Sequence, residues 1–272
     1  MRGCNAQMAG ETGEMRMTSG RAIRFEFPAV PLLGPWNLTV GRSEFPAMAL
    51  TRIFLIRHGA TVLTAEDRFA GATDVALSDA GRVQVERLSE RLANVPVAAV
   101  YASPLGRTMD TAGILAAPHR LEVQARAGLR EISHGRWERL TRQEVLQQFP
   151  EEAAAWDEDP YSFAPLGGES GLEVTARALP ALLDIVRQHD GEAVIVVSHK
   201  ATIRLLLSSL LGFDPRRYRD NLDQDPAALN VVDFKGPVRA RLTLFNDTSH
   251  YSDGCFTLPM TAEPRLSGWW TK

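Results

Sequence analysis

The 272-residue sequence is poor in cysteine, and its two cysteines, Cys4 and Cys255, lie near opposite ends of the chain. This spacing excludes a disulfide framework, and no CxxC pair or Cys/His cluster predicts a zinc site. No apolar run approaches the roughly 20 residues that span a membrane. Prolines also interrupt the most apolar part of residues 1–47, which therefore do not resemble a signal peptide. We expect a cytoplasmic protein with no membrane partner.

The chain also lacks a strong charge of either sign, because its formal net charge is -3 and its pI is near 6.1. Such a balance provides no extended positive field to hold nucleic acid or an anionic membrane. An anion site in this protein must therefore be local and built from a few placed arginines. Apolar residues make up 44% of the chain, which is enough to bury an ordinary globular core.

Regular patterns begin only at about residue 52. We predict a poorly ordered extension over residues 1–47, one domain over residues 48–251 and an irregular tail over residues 252–272. An upstream misreading of the start codon is an alternative explanation of the extension, which N-terminal sequencing of the native protein would test.

Within the domain, short apolar runs alternate with helical periodicity. The predicted strands cover residues 53–56, 98–102, 121–125, 193–197 and 241–245, and the predicted helices cover 77–94, 105–117, 142–156, 170–188 and 201–211. Pro180 lies inside one of these helices and predicts a kink or a break. The alternation predicts a three-layer α/β fold with a mainly parallel central sheet.

Polar side chains follow three of these strands directly. Arg57 and His58 follow the first strand, Ser103 and Arg107 follow the second, and His199 follows the strand over 193–197. Because the carboxyl ends of parallel strands meet at one edge of a sheet, we expect these side chains to converge there. Each residue alone has an ordinary structural explanation. Together, in this order and placement, they predict a cationic site suited to a phosphate.

Several of these segments resemble the motifs of a known family. Leu55-Ile-Arg-His-Gly-Ala-Thr61 resembles the signature of the histidine phosphatase superfamily, which includes the cofactor-dependent phosphoglycerate mutases. The resemblance covers about residues 52–250 and includes Arg68-Phe-Ala-Gly71, Ser103-Pro-Leu-Gly-Arg107, Leu129-Arg-Glu131, Gly167-Gly-Glu-Ser170 and Val197-Ser-His199. It implies a phosphoglycerate mutase-like fold.

The resemblance also implies roles for individual residues. His58 would attack phosphorus and carry the phosphoryl group, while Arg57, Arg107 and His199 would hold its oxygens. Glu131 would protonate the leaving oxygen, with Glu138 as a competing candidate. The implied pocket is bordered by Thr61, Thr64, Arg68, Gly71, Ser103, His134 and Lys200.

The chemistry of these residue types is consistent with those roles. An imidazole nucleophile must be neutral, and adjacent guanidinium groups disfavour its protonated form. The same guanidinium groups stabilise the negative charge on the phosphoryl oxygens in the transition state. A phosphate dianion beside Glu131 is expected to keep that residue protonated. The site therefore requires neither a metal ion nor a cofactor.

The sequence departs from the family pattern at three positions. Thr64 stands where the mutases commonly have asparagine, Arg139 replaces the glycine of Trp-Glu-Gly, and Lys200 replaces the glycine of Ser-His-Gly. Lys200 adds a cation that either contacts an additional anionic group of the substrate or is a solvated lysine at the start of a helix. None of these changes removes a catalytic group.

These observations predict a metal-independent phosphomonoesterase that acts on a small phosphorylated metabolite through a phosphohistidine. A cofactor-dependent phosphoglycerate-type mutase is the first alternative, and a non-catalytic phospholigand-binding protein is the second. The segment between Glu131 and His199 is short beside that of the mutases, which favours hydrolysis. The sequence does not identify the substrate, and it leaves a homodimer open.

Overall fold

The computed structural model describes residues 50–66, 68–237 and 239–252. The predicted extension over residues 1–47 lies outside these ranges, and so does the predicted tail over residues 252–272 apart from Ser252. The division of the chain into an extension, a domain and a tail therefore stays a prediction.

The described part alternates strands with helices, as the sequence patterns predict. In chain order the elements are β1 Thr51–Arg57, α1 Val62–Ala65, α2 Asp79–Leu92, β2 Ala99–Ala102, α3 Gly106–Ala116, β3 Val123–Ala125, α4 Arg142–Gln148, α5 Pro150–Glu158, α6 Gly171–Gln188, β4 Ala193–Ser198, α7 Lys200–Leu211, α8 Tyr218–Asn221, β5 Leu229–Phe234 and β6 Ala240–Asp247. None of the helices in these ranges combines the length and the apolar character that crossing a bilayer requires.

The strands form one six-stranded sheet in the order β3-β2-β4-β1-β5-β6. The pairs β3–β2, β2–β4 and β4–β1 are parallel, whereas β5 and β6 join the other side of β1 as antiparallel strands. The prediction of a mainly parallel sheet is confirmed. Because β1, β2 and β4 are parallel neighbours, the residues that follow them leave the sheet at the same edge.

Helices cover both faces of this sheet. Along β1, Ile53 and Leu55 belong to one apolar cluster, which also contains side chains of α6 and α7. Phe54 and Ile56 belong to a second cluster, which contains side chains of α2 and α3. This alternation is the two-residue period of a strand that is buried on both faces. The predicted three-layer architecture is therefore confirmed.

Two helix predictions need correction at proline. The helix predicted over residues 142–156 is two helices, because α4 ends before Phe149 and Pro150 begins α5. A proline disfavours helical dihedral angles at the residue before it, here Phe149. Proline itself suits the first position of a helix. By contrast, α6 continues through Pro180 without the predicted break. Pro180 is exposed, while Ala178 and Leu182 hold the opposite face in the core.

The sequence patterns did not reveal β5, although it lies between β1 and β6 and is buried along its whole length. Two polar side chains interrupt its apolar run. Asp233 forms an ion pair with Arg52, with 2.7 Å between the side-chain nitrogen and oxygen. Asn230 donates a hydrogen bond to the carbonyl of Leu55 and exchanges hydrogen bonds with Gln224. These partners, on β1 and in the segment before β5, make a polar strand compatible with burial.

Two glycines allow α2 to pack directly on the loop after β1. A Cβ atom on Gly81 would lie 2.1 Å from the carbonyl oxygen of Ala60, and one on Gly59 would lie 2.5 Å from the carbonyl oxygen of Gly81. The small size of both glycines therefore permits contact between this loop and α2.

We expect Gly81→Ala to lower the free energy of unfolding by about 3 kcal/mol, because backbone atoms surround the added methyl group. The matched control is Gly113→Ala in α3, where a Cβ atom meets nothing within 4 Å. This control should raise the free energy of unfolding by about 0.5 kcal/mol through helix propensity. Urea unfolding of both variants measures the difference, and similar values for the two would contradict the close packing of α2.

Candidate active site

A cavity of about 260 Å³ opens at the edge of the sheet where β1 and β4 end. Ten of the twelve residues predicted for the site line this cavity, namely Arg57, His58, Thr61, Thr64, Arg68, Gly71, Arg107, Glu131, His134 and Lys200. The other two, Ser103 and His199, are fully buried and are not part of the cavity wall. The predicted convergence of distant segments therefore holds, but Ser103 does not border the pocket.

His58 is fixed through both its backbone and its ring. Its N–H donates to the carbonyl of Ser198 at 3.1 Å, and its own carbonyl accepts from the N–H of Ala227 at 3.0 Å. The ring Nδ1 lies 2.7 Å from the carbonyl oxygen of Gly59. A carbonyl can only accept, so Nδ1 carries the proton and Nε2 keeps its lone pair. Arg107 Nε donates to this Nε2 at 3.3 Å, which agrees with that assignment.

The His58 ring is also held in its neutral form. Burial is the main cause that keeps the pKa of His58 well below 6.5, and the positive charges of Arg107 and Arg57 act in the same direction. A neutral imidazole with an unprotonated Nε2 is the form that can attack an electrophile, once the hydrogen bond from Arg107 shifts to the ligand. His58 is therefore ready to act as a nucleophile at neutral pH.

Arg57 leaves the end of β1 and turns into the cavity wall. Its Nη1 donates to the carbonyl of Gln224 at 2.6 Å, while its buried Nε has no hydrogen-bond partner among the described residues. Burial lowers the pKa of Arg57 to about 10, so the guanidinium stays charged at neutral pH. A buried cation with an unpaired N–H group is suited to an anionic ligand.

Arg107 connects His58 with the loop that follows α1. Its Nη1 donates to the carbonyl of Thr73 at 2.7 Å, and its Nη2 donates to the carbonyl of Gly71 at 2.8 Å. Glu138 holds the same loop, since it accepts hydrogen bonds from the N–H of Ala72 and the hydroxyl of Thr73. Glu138 does not line the cavity. Its position therefore favours Glu131 over Glu138 as the acid.

Glu131 lines the cavity and also caps α7. Its carboxylate accepts hydrogen bonds from the N–H groups of Ile132, Ala201 and Thr202 at 3.0, 3.2 and 3.1 Å, and from the hydroxyl of Thr202 at 3.1 Å. These N–H donors lie at the N-terminus of α7, so the helix fixes the position of the carboxylate at the cavity wall. No sequence pattern indicated this capping role.

His199 and Ser103 lie behind His58. The ring centroids of the two histidines are 5.2 Å apart, and His199 Nε2 is 2.8 Å from Ser103 Oγ. Burial is the main cause that keeps the pKa of His199 well below 6.5, with the charge of Arg107 second. His199 Nδ1 is buried without a hydrogen-bond partner in the described part of the chain. Contact with a phosphoryl oxygen would therefore have to be made through Nδ1.

An aromatic wall closes one side of the cavity. The ring of His134 lies 4.7 Å from that of Phe69 and 6.1 Å from that of Trp156, measured between centroids. Burial lowers the pKa of His134 to about 4, so this ring is neutral as well. The sequence placed His134 at the pocket, and the structure agrees, but the aromatic residues beside it were not predicted.

Sequence reasoning also missed several charged and polar residues of the wall, namely Arg204, Tyr218, Arg219, Asp223 and Asp225. Arg204 follows Lys200 by four residues, and helical spacing could have placed both on one face of α7. The others lie in or after α8, in a segment without a recognisable pattern.

The fold and this cavity together indicate a class of protein. It is a three-layer α/β protein whose cavity contains the histidine and arginine side chains that suit phosphoryl transfer. Comparison with known proteins gives the family. Residues 53–248 match the model of the histidine phosphatase superfamily, branch 1. The chain belongs to this superfamily.

Several of the named relatives are phosphatases. The chain is 32% identical to phosphoserine phosphatase 1 of Hydrogenobacter thermophilus over 169 residues, which are 62% of this chain and 80% of the relative. It is 34% identical to glucosyl-3-phosphoglycerate phosphatase of Mycolicibacterium vanbaalenii over 172 residues, which are 61% of this chain and 76% of the relative. Among solved structures, YhfR of Bacillus stearothermophilus superposes with a TM-score of 0.70 at 30% identity, and the match covers 74% of this chain and 98% of that one.

Proposed function

We propose that this protein is a metal-independent phosphomonoesterase that acts on a small phosphorylated metabolite through a phosphohistidine on His58. The observation that supports this proposal most directly is the state of the His58 ring, which is buried and neutral, with Nδ1 held by the carbonyl of Gly59. Two of the relatives are named phosphoserine phosphatase 1 and glucosyl-3-phosphoglycerate phosphatase, which favours the same kind of reaction here. We propose the cytoplasm as its location, and a homodimer stays a prediction.

In the first step, the lone pair of His58 Nε2 attacks phosphorus and the ester P–O bond breaks. The departing oxygen takes a proton from Glu131, because an alkoxide is a poor leaving group. Arg57 and Arg107 stabilise the negative charge on the oxygens of the transferred group. His199 is the third ligand that we propose for these oxygens.

In the second step, water attacks the phosphorus of the phosphohistidine. The Glu131 carboxylate accepts the proton of that water, the P–N bond breaks, and phosphate leaves. His58 returns to its neutral form and Glu131 is again protonated. The cycle consumes one ester and one water and involves no oxidation or reduction. The arginines supply the positive charge that a metal ion would otherwise provide.

We expect the purified protein to hydrolyse p-nitrophenyl phosphate at the same rate before and after treatment with a chelator, within about twofold. The reason is that guanidinium groups replace a metal ion as the source of positive charge. Release of p-nitrophenolate measures the rate. A loss of more than about tenfold that added metal restores would contradict the mechanism.

The same protein separates the two alternatives. Turnover only of 3-phosphoglycerate in the presence of a bisphosphoglycerate primer would identify a mutase. Binding of phosphate esters without release of phosphate from any of them would identify a non-catalytic protein.

A further inference from the structure

The positive charge that lines the cavity exceeds what one phosphate group needs. Arg57 and Arg107 supply two positive charges, which match the about two negative charges of a phosphomonoester at pH 7. Arg68 is already paired with Glu66 and Glu144, at 2.9 Å from each carboxylate. Lys200 and Arg204 also line the cavity, and their charge remains for another part of the substrate.

The excess is concentrated on α7. Lys200 is the first residue of this helix, and Arg204 follows one turn later, so both side chains share one face. The two cations share a single carboxylate, since Lys200 Nζ and Arg204 Nη2 lie 3.7 Å and 2.8 Å from Asp223 Oδ1. The side chain of Asp223 is half exposed, at 53%. One carboxylate thus neutralises only one of these two charges.

Arg204 has a second feature of a binding group. The residue is only 7% exposed, and its Nε is buried without a hydrogen-bond partner in the ranges that the structure describes. A buried N–H group without a partner is costly, and a ligand oxygen would remove this cost. The feature is independent of the charge count, and it points to an acceptor inside the same cavity.

Lys200 is placed for the same purpose. Its side chain lines the cavity and is about a quarter exposed, which is unusual for a lysine at the start of a helix. Burial is the main cause that lowers the pKa of Lys200 to about 8, and the positive charges of Arg204 and Arg57 add to it. An anion beside its ammonium group would relieve both the burial cost and the repulsion.

We propose that Lys200 and Arg204 form a carboxylate subsite, so that the preferred substrate is a phosphomonoester that also bears a carboxylate. This inference rests on the proposed function, in which His58, Arg57 and Arg107 hold the phosphate end of the same molecule. A carboxylate brings one negative charge, which equals the charge of the Lys200 and Arg204 pair that Asp223 leaves uncompensated. A second phosphate would bring about two.

Two esters that differ only in the carboxylate test the subsite. 3-Phosphoglycerate has a carboxylate where glycerol 3-phosphate has a hydroxymethyl group. We expect kcat/KM for 3-phosphoglycerate to exceed that for glycerol 3-phosphate by about tenfold or more, which is the usual effect of a hydrogen bond between charged groups. Lys200→Met should bring this ratio close to one, whereas Lys200→Arg should keep most of it. Lys235→Met, at an exposed lysine outside the cavity, is the matched control and should leave the ratio unchanged.

The outcomes distinguish this inference from the proposed function. Hydrolysis of p-nitrophenyl phosphate with a ratio near one in the native protein would overturn the subsite and leave the phosphatase in place. Equal losses on both esters in Lys200→Met would also overturn it. The dissociation constants of the two esters, measured by calorimetry with His58→Ala protein, give the same comparison without turnover. The carboxylate subsite is therefore tested even if the native protein hydrolyses neither ester. A preference for glycerol 1,3-bisphosphate over 3-phosphoglycerate would identify a second phosphate site instead and overturn the assignment to a carboxylate.

Discussion

Replacement of His58 by alanine is expected to lower kcat for p-nitrophenyl phosphate by about 10⁴-fold or more, because the reaction loses its nucleophile and the covalent intermediate. The native protein should acquire a phosphoryl group during turnover. Phosphohistidine is stable to base, so an alkaline quench followed by mass spectrometry of the peptide that contains His58 detects it. The variant should show no such adduct.

The matched control for this experiment is His250→Ala. His250 is also partly buried, and burial lowers its pKa to about 4, but it lies outside the cavity. This variant should keep its rate within about twofold and should still form the adduct on His58. A His58→Ala protein that releases phosphate at the full rate would rule out the covalent mechanism.

Glu131→Gln is expected to lower kcat/KM for an alkyl phosphate by about 10²–10⁴-fold, but kcat/KM for p-nitrophenyl phosphate by less than about tenfold. An alkoxide needs a proton as it departs, whereas p-nitrophenolate leaves without one. The measurement is kcat/KM for both esters with the native protein and the variant, because this ratio reports the steps up to departure of the alcohol and excludes the later hydrolysis of the phosphohistidine, which Glu131 also assists. Equal losses of kcat/KM on the two esters would show that Glu131 is not the acid.

Two controls separate acid catalysis from the capping of α7 by Glu131. Glutamine retains a carbonyl oxygen that can accept from the N–H groups of Ala201 or Thr202, so the variant should fold, and its thermal unfolding reports any loss of the cap. Glu138→Gln is the matched variant. It alters the carboxylate that holds Ala72 and Thr73, and it should affect both esters by the same factor.

Much of the fold and the centre of the site could be predicted from the sequence, because both depend on short-range patterns. The apolar runs of β1, β2 and β4 are flanked by turn or helix signals, and parallel strands place the residues after them at one edge. That rule brings His58, Arg107 and His199 together without any knowledge of the loops. Ser78 as the cap of α2 and Gly212 as the end of α7 also follow from local chemistry.

What could not be predicted depends on partners that are distant in sequence. Asp233 and Asn230 of β5 find partners on β1, 181 and 175 positions away, so the burial of this strand has no local signal. The role of Asp223 depends on α7, which brings Lys200 and Arg204 beside its carboxylate. The burial of Ser103 follows from its hydrogen bond to His199, 96 positions along the chain.

The backbone of His58 is joined to the carbonyl of Ser198 and the N–H of Ala227, on the strand and the chain segment that flank β1. The nucleophile that we propose is thus part of the sheet's own hydrogen-bonding framework, which aligns it. The entropy cost of ordering this ring arises once, when the chain folds, and does not recur in each turnover. On heating, catalytic activity should accordingly be lost in the same transition in which the sheet unfolds. We expect no folded but inactive state at a lower temperature.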